Sequence, residues 1–258
     1  MLTLLLSALF LVALVIAFIE CGRRIRLRRK DDDASKGLSV IDGAVFGLMG
    51  LLLAFSFSGA EGRFETRRQL IVQETNAIGT AYLRVDLLPE AAQPQIRYDF
   101  RAYVDSRITF YKEVTSDRAR TIKNFEHSIE LQKKVWTETV AAAKQTGSPA
   151  VLSLVVSSLN DMIDITTTRL VALQTHPPLA IYITLVLLAL ASALIAGFGM
   201  GDSGKRPWLH TLVYAVALTA TVYTIFDLEF PRIGIVRVDR YDQTLIDQRN
   251  SMKDSKAF

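Results

Sequence analysis

The sequence predicts an all-α membrane protein, in which four transmembrane helices carry a helical domain outside the bilayer. Half of the 258 residues are hydrophobic although 22% are charged, so the two kinds of residue must be segregated along the chain. Four apolar runs are each close to the about 20 residues that a bilayer-spanning helix needs. The segment between the second and third runs has the periodicity of amphipathic helices.

Charged residues and prolines bound the four apolar runs. Glu20 and the arginines after it end the first run, and DDDASKG separates it from the second. Pro177 and Pro178 precede the third run, and GDSGKRP precedes the fourth. The runs are 2–19, 41–58, 179–198 and 209–226. They divide the chain into a first transmembrane pair with a basic loop at 1–58, a helical extramembrane domain at 59–176, a second transmembrane pair at 177–226, and an extramembrane tail packing on the helical domain at 227–258.

The first run is interpreted as a permanent helix. It has no basic residue ahead of its apolar core and no small-residue cleavage site after it, both of which a signal peptide requires. Cys21 does not fit a lipidation site, because Phe18, Ile19 and Glu20 are not the small residues that such a site needs.

Basic residues in the short loops predict the orientation in the membrane. The formal net charge of +4 suggests nucleic acid as a partner, but the densest basic cluster directly follows the first apolar run and is better explained by anchoring to membrane lipids. Both short loops are therefore expected in the cytoplasm, and the N-terminus, the large insert and the tail on the outer face, which is the periplasm in a bacterial inner membrane. The basic residues are Arg23, Arg24, Arg26, Arg28, Arg29, Lys30 and Lys36 in the first loop and Lys205 and Arg206 in the third.

The insert reads as a set of helices separated by prolines. Ser116 is a predicted N-cap of one helix, and Ser148 followed by Pro149 is the cap and first-turn pair of another. Pro89 and Pro94 separate an earlier helix from the next. The apolar sides of these helices carry Ile122, Phe125, Ile129, Trp136 and Val140, and then Val155, Leu159, Met162, Thr166 and Leu170. The β-branched run around Ile233, Ile235 and Val236 in the tail predicts either a short strand or an extended strap.

No residue pattern in the chain points to catalysis or to a metal. Cys21 is the only cysteine, so an intramolecular disulfide is excluded. His127, His176 and His210 lack metal-ligand spacing, and no nucleophile elbow, phosphate loop or catalytic carboxylate pair is present. We therefore expect a protein that is not an enzyme and has no cofactor.

The second apolar run continues into charged sequence without a stop. The simplest interpretation is one helix from Ile41 to about Leu88 that joins the bilayer to the outer domain. Small residues recur along it every three or four positions, which predicts either close packing against another helix or the narrow lining of a pore. They are Gly43, Gly47, Gly50, Ala54 and Ser58.

Three segments resemble a known family. They are AFSFSGAEGRFETRRQ with Arg63 and Phe64, RRQLIVQETNAIGTAYLR with Arg67, Arg68, Glu74 and Asn76, and DLEFPRIGIVRVD with Asp227, Glu229, Pro231 and Gly234. The whole chain resembles the bacterial bestrophin-like family of unknown function, and more distantly the bestrophins. Bestrophins are pentameric anion channels with an apolar neck, so the resemblance implies a ring-shaped homo-oligomer of five subunits. It places the neck at Gly47, Leu51 and Phe55.

The chain departs from bestrophins in two respects. Its basic loop predicts the large domain on the opposite side of the membrane, and Gly47 replaces a bulky neck residue. Extended as a straight helix, the neck direction next meets Ser58, Glu61 and Glu65, and an acidic lining favours cations. The resemblance favours anions, so the selectivity stays open. Arg68 or arginines of a neighbouring subunit are alternative partners that would neutralise these carboxylates.

Two functions follow from the sequence. The first is an oligomeric, bestrophin-like ion channel or pore lined by the second transmembrane helix. The alternative is a membrane receptor or scaffold whose helical outer domain binds a ligand or partner without conducting ions. Because the cytoplasmic parts are two short loops, a receptor of this kind would depend on another protein for its output.

Overall fold

The computed structural model describes residues 2–28, 35–114, 118–201 and 206–252, and all the regular structure in these ranges is helical. This confirms the predicted fold class. The helices are α1 (Leu2–Arg28), α2 (Ser35–Leu83), a 3-10 helix (Arg84–Leu87), α3 (Gln93–Glu113), α4 (Arg118–Gln145), α5 (Pro149–Gln174), α6 (Leu179–Met200), α7 (Trp208–Glu229) and α8 (Asp242–Ser251). The predicted cap Ser116 and the basic residues Arg29, Lys30 and Lys205 lie outside the described residues.

Helices α1, α2, α6 and α7 contain the four predicted apolar runs, and four helices in the described residues are long and apolar enough to cross a membrane. Helix α2 has 49 residues and is thus about 74 Å long at about 1.5 Å per residue. It passes without a break from the apolar run into the charged sequence, as predicted, and ends at Leu83 before the 3-10 helix.

The chain forms two compact units, and the first (Met1–Phe64 and His176–Val236) contains the apolar helices. Its core is made mainly of small and aliphatic side chains from α1, α6 and α7, among them Val15, Ile19, Leu185, Ala189, Ala193, Ala215 and Val222. Helix α2 adds Met49 and Ala60 to this core. Helices α1 and α6 approach closely at Gly22 and Gly197. A Cβ atom at Gly22 would overlap the carbonyl oxygen of Leu194, and one at Gly197 would overlap that of Ile19. Glycine is therefore required at both positions.

The second unit (Glu65–Thr175 and Arg237–Phe258) has a larger and more aromatic core. Ser148 caps α5 as predicted, because its Oγ accepts a hydrogen bond of 3.4 Å from the backbone N–H of Val151. The predicted apolar side of α5 is buried at Val155, Leu159 and Met162. Other core residues are Ile78, Tyr82, Val85, Phe100, Tyr103, Val104, Val135, Ala143 and Leu245.

The tail does not form the short strand that was one of the two predictions for it. Residues 230–241 make turns and bends instead, and α8 follows. Leu245 of α8 and Met252 after it are buried in the core of the second unit. Only two of the ten residues of α8 are apolar, Leu245 and Ile246, and this weak helical signal explains why the sequence did not predict α8.

Candidate functional site

The predicted pore residues lie on a face of α2 that the rest of the described chain leaves open. Leu51 is 54% exposed and Phe55 is 69% exposed. Gly47, Ser58 and Glu61 are exposed as well, and Glu65 is half-buried. Phe55 also lines a cavity of about 280 Å³ in the first unit, together with Ser56, Arg63 and Tyr182. Its ring therefore lies at the border between the open face and the packed face of the helix.

The small residues of α2 are exposed, and the glycines among them have no close neighbour in the described part of the chain. A Cβ atom placed on Gly43, Gly47 or Gly50 would meet no described atom within 4 Å, apart from the helix itself. Ala54 is exposed in the same way. Close packing on this stripe therefore needs lipid or another copy of the chain, and it stays a prediction. The glycines that do bring helices together, Gly22 and Gly197, were not singled out from the sequence, because one helix alone does not show where its partner comes closest.

The opposite face of α2 carries arginines that are bound inside the protein. Arg63 contacts Glu229 Oε2 through Nε at 2.8 Å and through Nη2 at 2.7 Å. Arg67 is buried and donates to the carbonyl oxygens of Ala172 at 3.0 Å and Thr175 at 2.9 Å. The last carbonyls of a helix have no partner within it, so Arg67 satisfies and neutralises the C-terminal end of α5. These two charges therefore do not lie on the predicted pore face.

Glu229 joins two further segments of the first unit. The His176 Nδ1 atom lies 2.8 Å from Glu229 Oε1, and the His176 ring stacks on Phe230 with 4.8 Å between ring centroids. Phe64, next to Arg63, packs against the core of this unit. The carboxylate of Glu229 thus links α2, α7 and the segment before α6. The sequence does not predict this contact, because nothing near His176 in the chain indicates a partner at 229.

Asp227, in the last turn of α7, holds the turn that follows the helix and contains Pro231 and Gly234. The Asp227 carboxylate accepts hydrogen bonds from the backbone N–H groups of Ile235 at 2.8 Å and Val236 at 2.7 Å. A Cβ atom on Gly234 would overlap Asp227 Oδ1, so only glycine lets the chain come this close to the carboxylate. Pro231 is buried at the start of the turn. This geometry gives the acidic residue, proline and glycine of the segment a shared structural role.

The second unit contains a buried charge cluster around Glu74. Arg107 Nε donates to Glu74 Oε1 at 2.7 Å, and the Tyr111 hydroxyl lies 3.2 Å from Oε2. Arg169 donates to the same Oε2 atom, and its Nη2 atom is 3.6 Å from Asp242 of α8. Glu74, Arg107, Tyr111 and Arg169 are all buried. The sequence singled out Glu74 but missed both arginines, because they lie far along the chain on α3 and α5.

The cluster fixes the charge of its members. Burial alone would raise the pKa of Glu74, but Arg107 and Arg169 outweigh it and lower the pKa to about 2. Burial raises the pKa of Tyr103 and of Tyr111 well above the usual tyrosine value. Glu74 is thus ionised, and the tyrosines neutral, at any physiological pH. Asn76, two positions from Glu74, is exposed.

Arg68 and Glu65 pair on the surface of the second unit, which is one of the neutralising contacts that the sequence left open. Arg68 Nη2 lies 2.6 Å from Glu65 Oε1 and Nη1 lies 3.2 Å from the Tyr241 hydroxyl. Glu61 also lies on the predicted pore face, and in the described ranges the structure gives it no ion pair like that of Glu65 with Arg68. In those ranges, no group of three or more His, Cys, Asp or Glu side chains is arranged to hold a metal ion.

Four membrane-length helices, one of which continues unbroken into a helical domain, define a multi-pass membrane protein. The Bestrophin-like domain model matches residues 8–242, and the chain therefore belongs to the bestrophin-like family, as its three segments predicted. A search of curated proteins gave no match.

Solved structures of a bacterial bestrophin homolog from Klebsiella pneumoniae share the fold. One variant aligns over 95% of this chain and 99% of its own with 14% identity and a TM-score of 0.67. Another aligns over 95% and 98% with 14% identity and a TM-score of 0.71. A third structure of that homolog, solved by zinc phasing, covers 94% and 98% with 14% identity and a TM-score of 0.65. At this identity the likeness concerns the fold alone.

Proposed function

We propose that the chain forms a homo-oligomeric, bestrophin-like ion channel or pore lined by α2. One observation carries the proposal. In the most apolar 18-residue stretch of α2, only 6% of the residues are buried by the rest of the chain. The same measure is 33% for α7 and 22% for α1. A helix that its own chain covers so little is suited to contact other copies and to surround a shared axis.

The positions of the charged residues on α2 indicate which side of the helix would face the pore. Arg63 and Arg67 are held by Glu229 and by backbone carbonyls on the packed side of the helix. The open side carries Leu51, Phe55 and then Glu61. An apolar ring followed by an acidic one suits a conduction path, because apolar constrictions gate by dewetting and rings of carboxylates attract cations. Selectivity between cations and anions is the first property to measure on such a pore.

The family resemblance supports five subunits, and the basic residues support the orientation. We propose a ring of five copies in a cell membrane, the inner membrane in a bacterium, with the domain at 59–176 and the tail at 227–258 on the outer face. The basic ends of α1 and α7 then face the cytoplasm. Transport rather than catalysis is the activity that this arrangement suits.

Orientation is tested with thiol labelling in intact cells. Asp161 is exposed on α5 and Cys21 is the single, exposed cysteine. In a Cys21→Ser background, Asp161→Cys should react with an impermeant reagent, whereas the natural Cys21 should react only after lysis. The reverse pattern would place the helical domain in the cytoplasm, as in bestrophins.

A receptor or scaffold is the second candidate, and one cavity favours it. A cavity of about 530 Å³ in the second unit is lined by Phe125, Trp136, Lys133 and Arg107 among others, a mixture suited to a small amphipathic ligand. Such a protein would bind a ligand without conducting ions.

Ion flux from liposomes that contain only this protein separates the two functions. A channel releases trapped ions from these liposomes above the rate of protein-free liposomes. A receptor or scaffold gives no flux, with or without a ligand in the cavity. Reversal potentials under a salt gradient then give the ratio of cation to anion permeability.

A further inference from the structure

A cavity at the basic end of the first unit lies between α1 and the start of α7. It has a volume of about 350 Å³. One part of its wall is apolar and is made by Ala13, Ile16 and Ala17 on α1. The other part carries Arg24, Arg206 and the indole of Trp208. The cavity is therefore amphipathic.

Among the described residues that line the cavity, the polar part carries more positive than negative charge. Glu20 is the carboxylate among them, and it contacts Arg23 Nε at 2.9 Å, Arg24 Nε at 3.0 Å and Arg206 Nη2 at 3.3 Å. One carboxylate thus faces three guanidinium groups. The contacts with Glu20 use one of the five donors that Arg24 carries, and one of those of Arg206. The side chains of Arg24 and Arg206 are 65% and 53% exposed, so they remain accessible to an anion from outside.

The cavity lies at the ends of two apolar helices, where we expect the edge of the bilayer. The apolar run of α1 ends at Ile19, directly before Glu20, and α7 begins at Trp208. Tryptophan prefers the level of the lipid headgroups, and Arg206 lies over the Trp208 ring at 5.9 Å. The apolar wall at Ala13, Ile16 and Ala17 runs from this level toward the hydrocarbon core.

We propose that this cavity is a binding site for an anionic phospholipid. The phosphate of the headgroup accepts hydrogen bonds from Arg24 and Arg206, and an acyl chain lies along Ala13, Ile16 and Ala17. The excess of guanidinium groups over carboxylates selects a headgroup with net negative charge over a zwitterionic one. The site does not depend on ion conduction, so its test is independent of the test of the proposed channel.

Trp208 is a built-in reporter of this site. The protein has two tryptophans, and Trp136 lies in the second unit. In a Trp136→Phe variant of the full chain, the fluorescence of Trp208 is measured in phosphatidylcholine vesicles. These contain an equal, small fraction of either brominated phosphatidylglycerol or brominated phosphatidylcholine, since bromine quenches an indole in contact with the lipid. Phosphatidylglycerol should bind more tightly than phosphatidylcholine. Each arginine near the headgroup contributes about 1 kcal/mol, which is about fivefold in the ratio of the two binding constants.

Arg24→Gln and Arg206→Gln should each reduce this preference by about fivefold. Arg28→Gln is the matched control, because it removes the same charge from the end of α1 but does not line the cavity. Arg24→Lys keeps the charge and should retain more of the preference than Arg24→Gln. This result would show that the loss in Arg24→Gln comes from the missing charge and not from misfolding. Circular dichroism checks that each variant is folded.

Three outcomes would overturn the site. Equal quenching by the two brominated lipids in the unmutated cavity means that it does not select anionic lipid. An equal loss in Arg28→Gln means that the preference is a diffuse surface attraction. Abolition of the preference by inorganic phosphate, at an ionic strength where chloride has no effect, means that the cavity binds a soluble anion instead.

Discussion

The two halves of α2 differ in which side chains the rest of the chain covers. In the half that belongs to the first unit, the apolar residues Leu51 and Phe55 are mostly exposed. In the half that belongs to the second unit, the charged residues Arg67 and Glu74 are buried and bonded within the chain. The charged half is therefore complete in one protomer, whereas the apolar half needs lipid or other copies to cover it.

The largest effect is expected in the charged half. Glu74→Gln leaves Arg107 and Arg169 in the core without their carboxylate. Removing one partner of a buried ion pair typically costs about 3–5 kcal/mol, since it strands a buried charge. The midpoint of thermal unfolding of the full chain in detergent, followed by circular dichroism, should fall clearly.

Asn76→Ala is the control for this variant, because Asn76 is exposed on the same helix two positions away. It should unfold at nearly the wild-type temperature. If Glu74→Gln and Asn76→Ala unfold at the same temperature, the buried cluster contributes nothing to stability, and the charged half of α2 is not held by contacts within one protomer.

A second prediction concerns the pH dependence of the same cluster. The pKa of Glu74, which lies well beyond the apolar run at 41–58, is lowered from 4.5 to about 2 in the folded protein. A lowered pKa contributes stability that is fully present above the unfolded value and is lost as the pH falls through the folded one. The contribution should therefore be constant from pH 7 to about 5 and decline between about pH 4.5 and 2, by on the order of 3 kcal/mol.

Glu74→Gln again supplies the control, because glutamine does not titrate. The difference in unfolding midpoint between wild type and this variant should shrink as the pH falls below about 4.5. A difference that stays constant down to pH 3 would contradict the lowered pKa of Glu74.

The third prediction tests whether copies of the chain cover the apolar half. A Cβ atom on Gly50 meets no described atom within 4 Å outside the helix itself, so we expect Gly50→Leu to be accommodated within a protomer. If another copy packs on the small residues, the leucine weakens assembly by about 1–3 kcal/mol. Native mass spectrometry in detergent should show a ring of subunits, five by family resemblance, that this variant loosens.

Gly199→Leu is the matched control, because Gly199 of α6 has equally open space in the protomer. It should leave the ring intact. A wild-type protein that runs as a monomer would contradict both the assembly and the channel. Equal assembly of wild type and both variants would leave the stripe of α2 facing lipid or the pore.

The sequence predicted those features that depend on residues close together in the chain. The continuity of α2 followed from the missing stop after Ser58, and the start of α5 followed from Ser148 and Pro149. Both are set by backbone chemistry within a few residues of the feature. The four membrane helices were predicted as well, because the hydropathy of a segment can be read without knowing which helix packs against it.

What the sequence did not predict depends on contacts between distant residues. Arg107 and Arg169 meet Glu74 across 33 and 95 positions, and His176 meets Glu229 across 53. Gly22 looks like any glycine of an apolar helix until Leu194 of α6 is placed beside it. These features are set by packing, for which the periodicity of one helix gives the buried side but not the partner.

The smallest expected effect, and the most specific to the channel, is at Phe55. If Phe55 and Leu51 form an apolar ring in the pore, they hold the narrow part dry and ions face a dewetting barrier. Phe55→Ala should widen and wet the ring and raise flux from liposomes by roughly tenfold, which corresponds to about 1.4 kcal/mol of barrier. Assembly should be unchanged.

Phe57→Ala is the control, because Phe57 is also exposed on α2 but points away from the direction of Leu51 and Phe55. The competing explanation is that Phe55 packs, since it also borders the cavity with Tyr182 and Arg63. Full burial of Phe55 against another copy would make Phe55→Ala lower stability by about 3–5 kcal/mol without adding conductance. Equal flux from wild type, Phe55→Ala and Phe57→Ala, with all three assembled, removes the gate, because a ring that limits conduction cannot be widened without consequence.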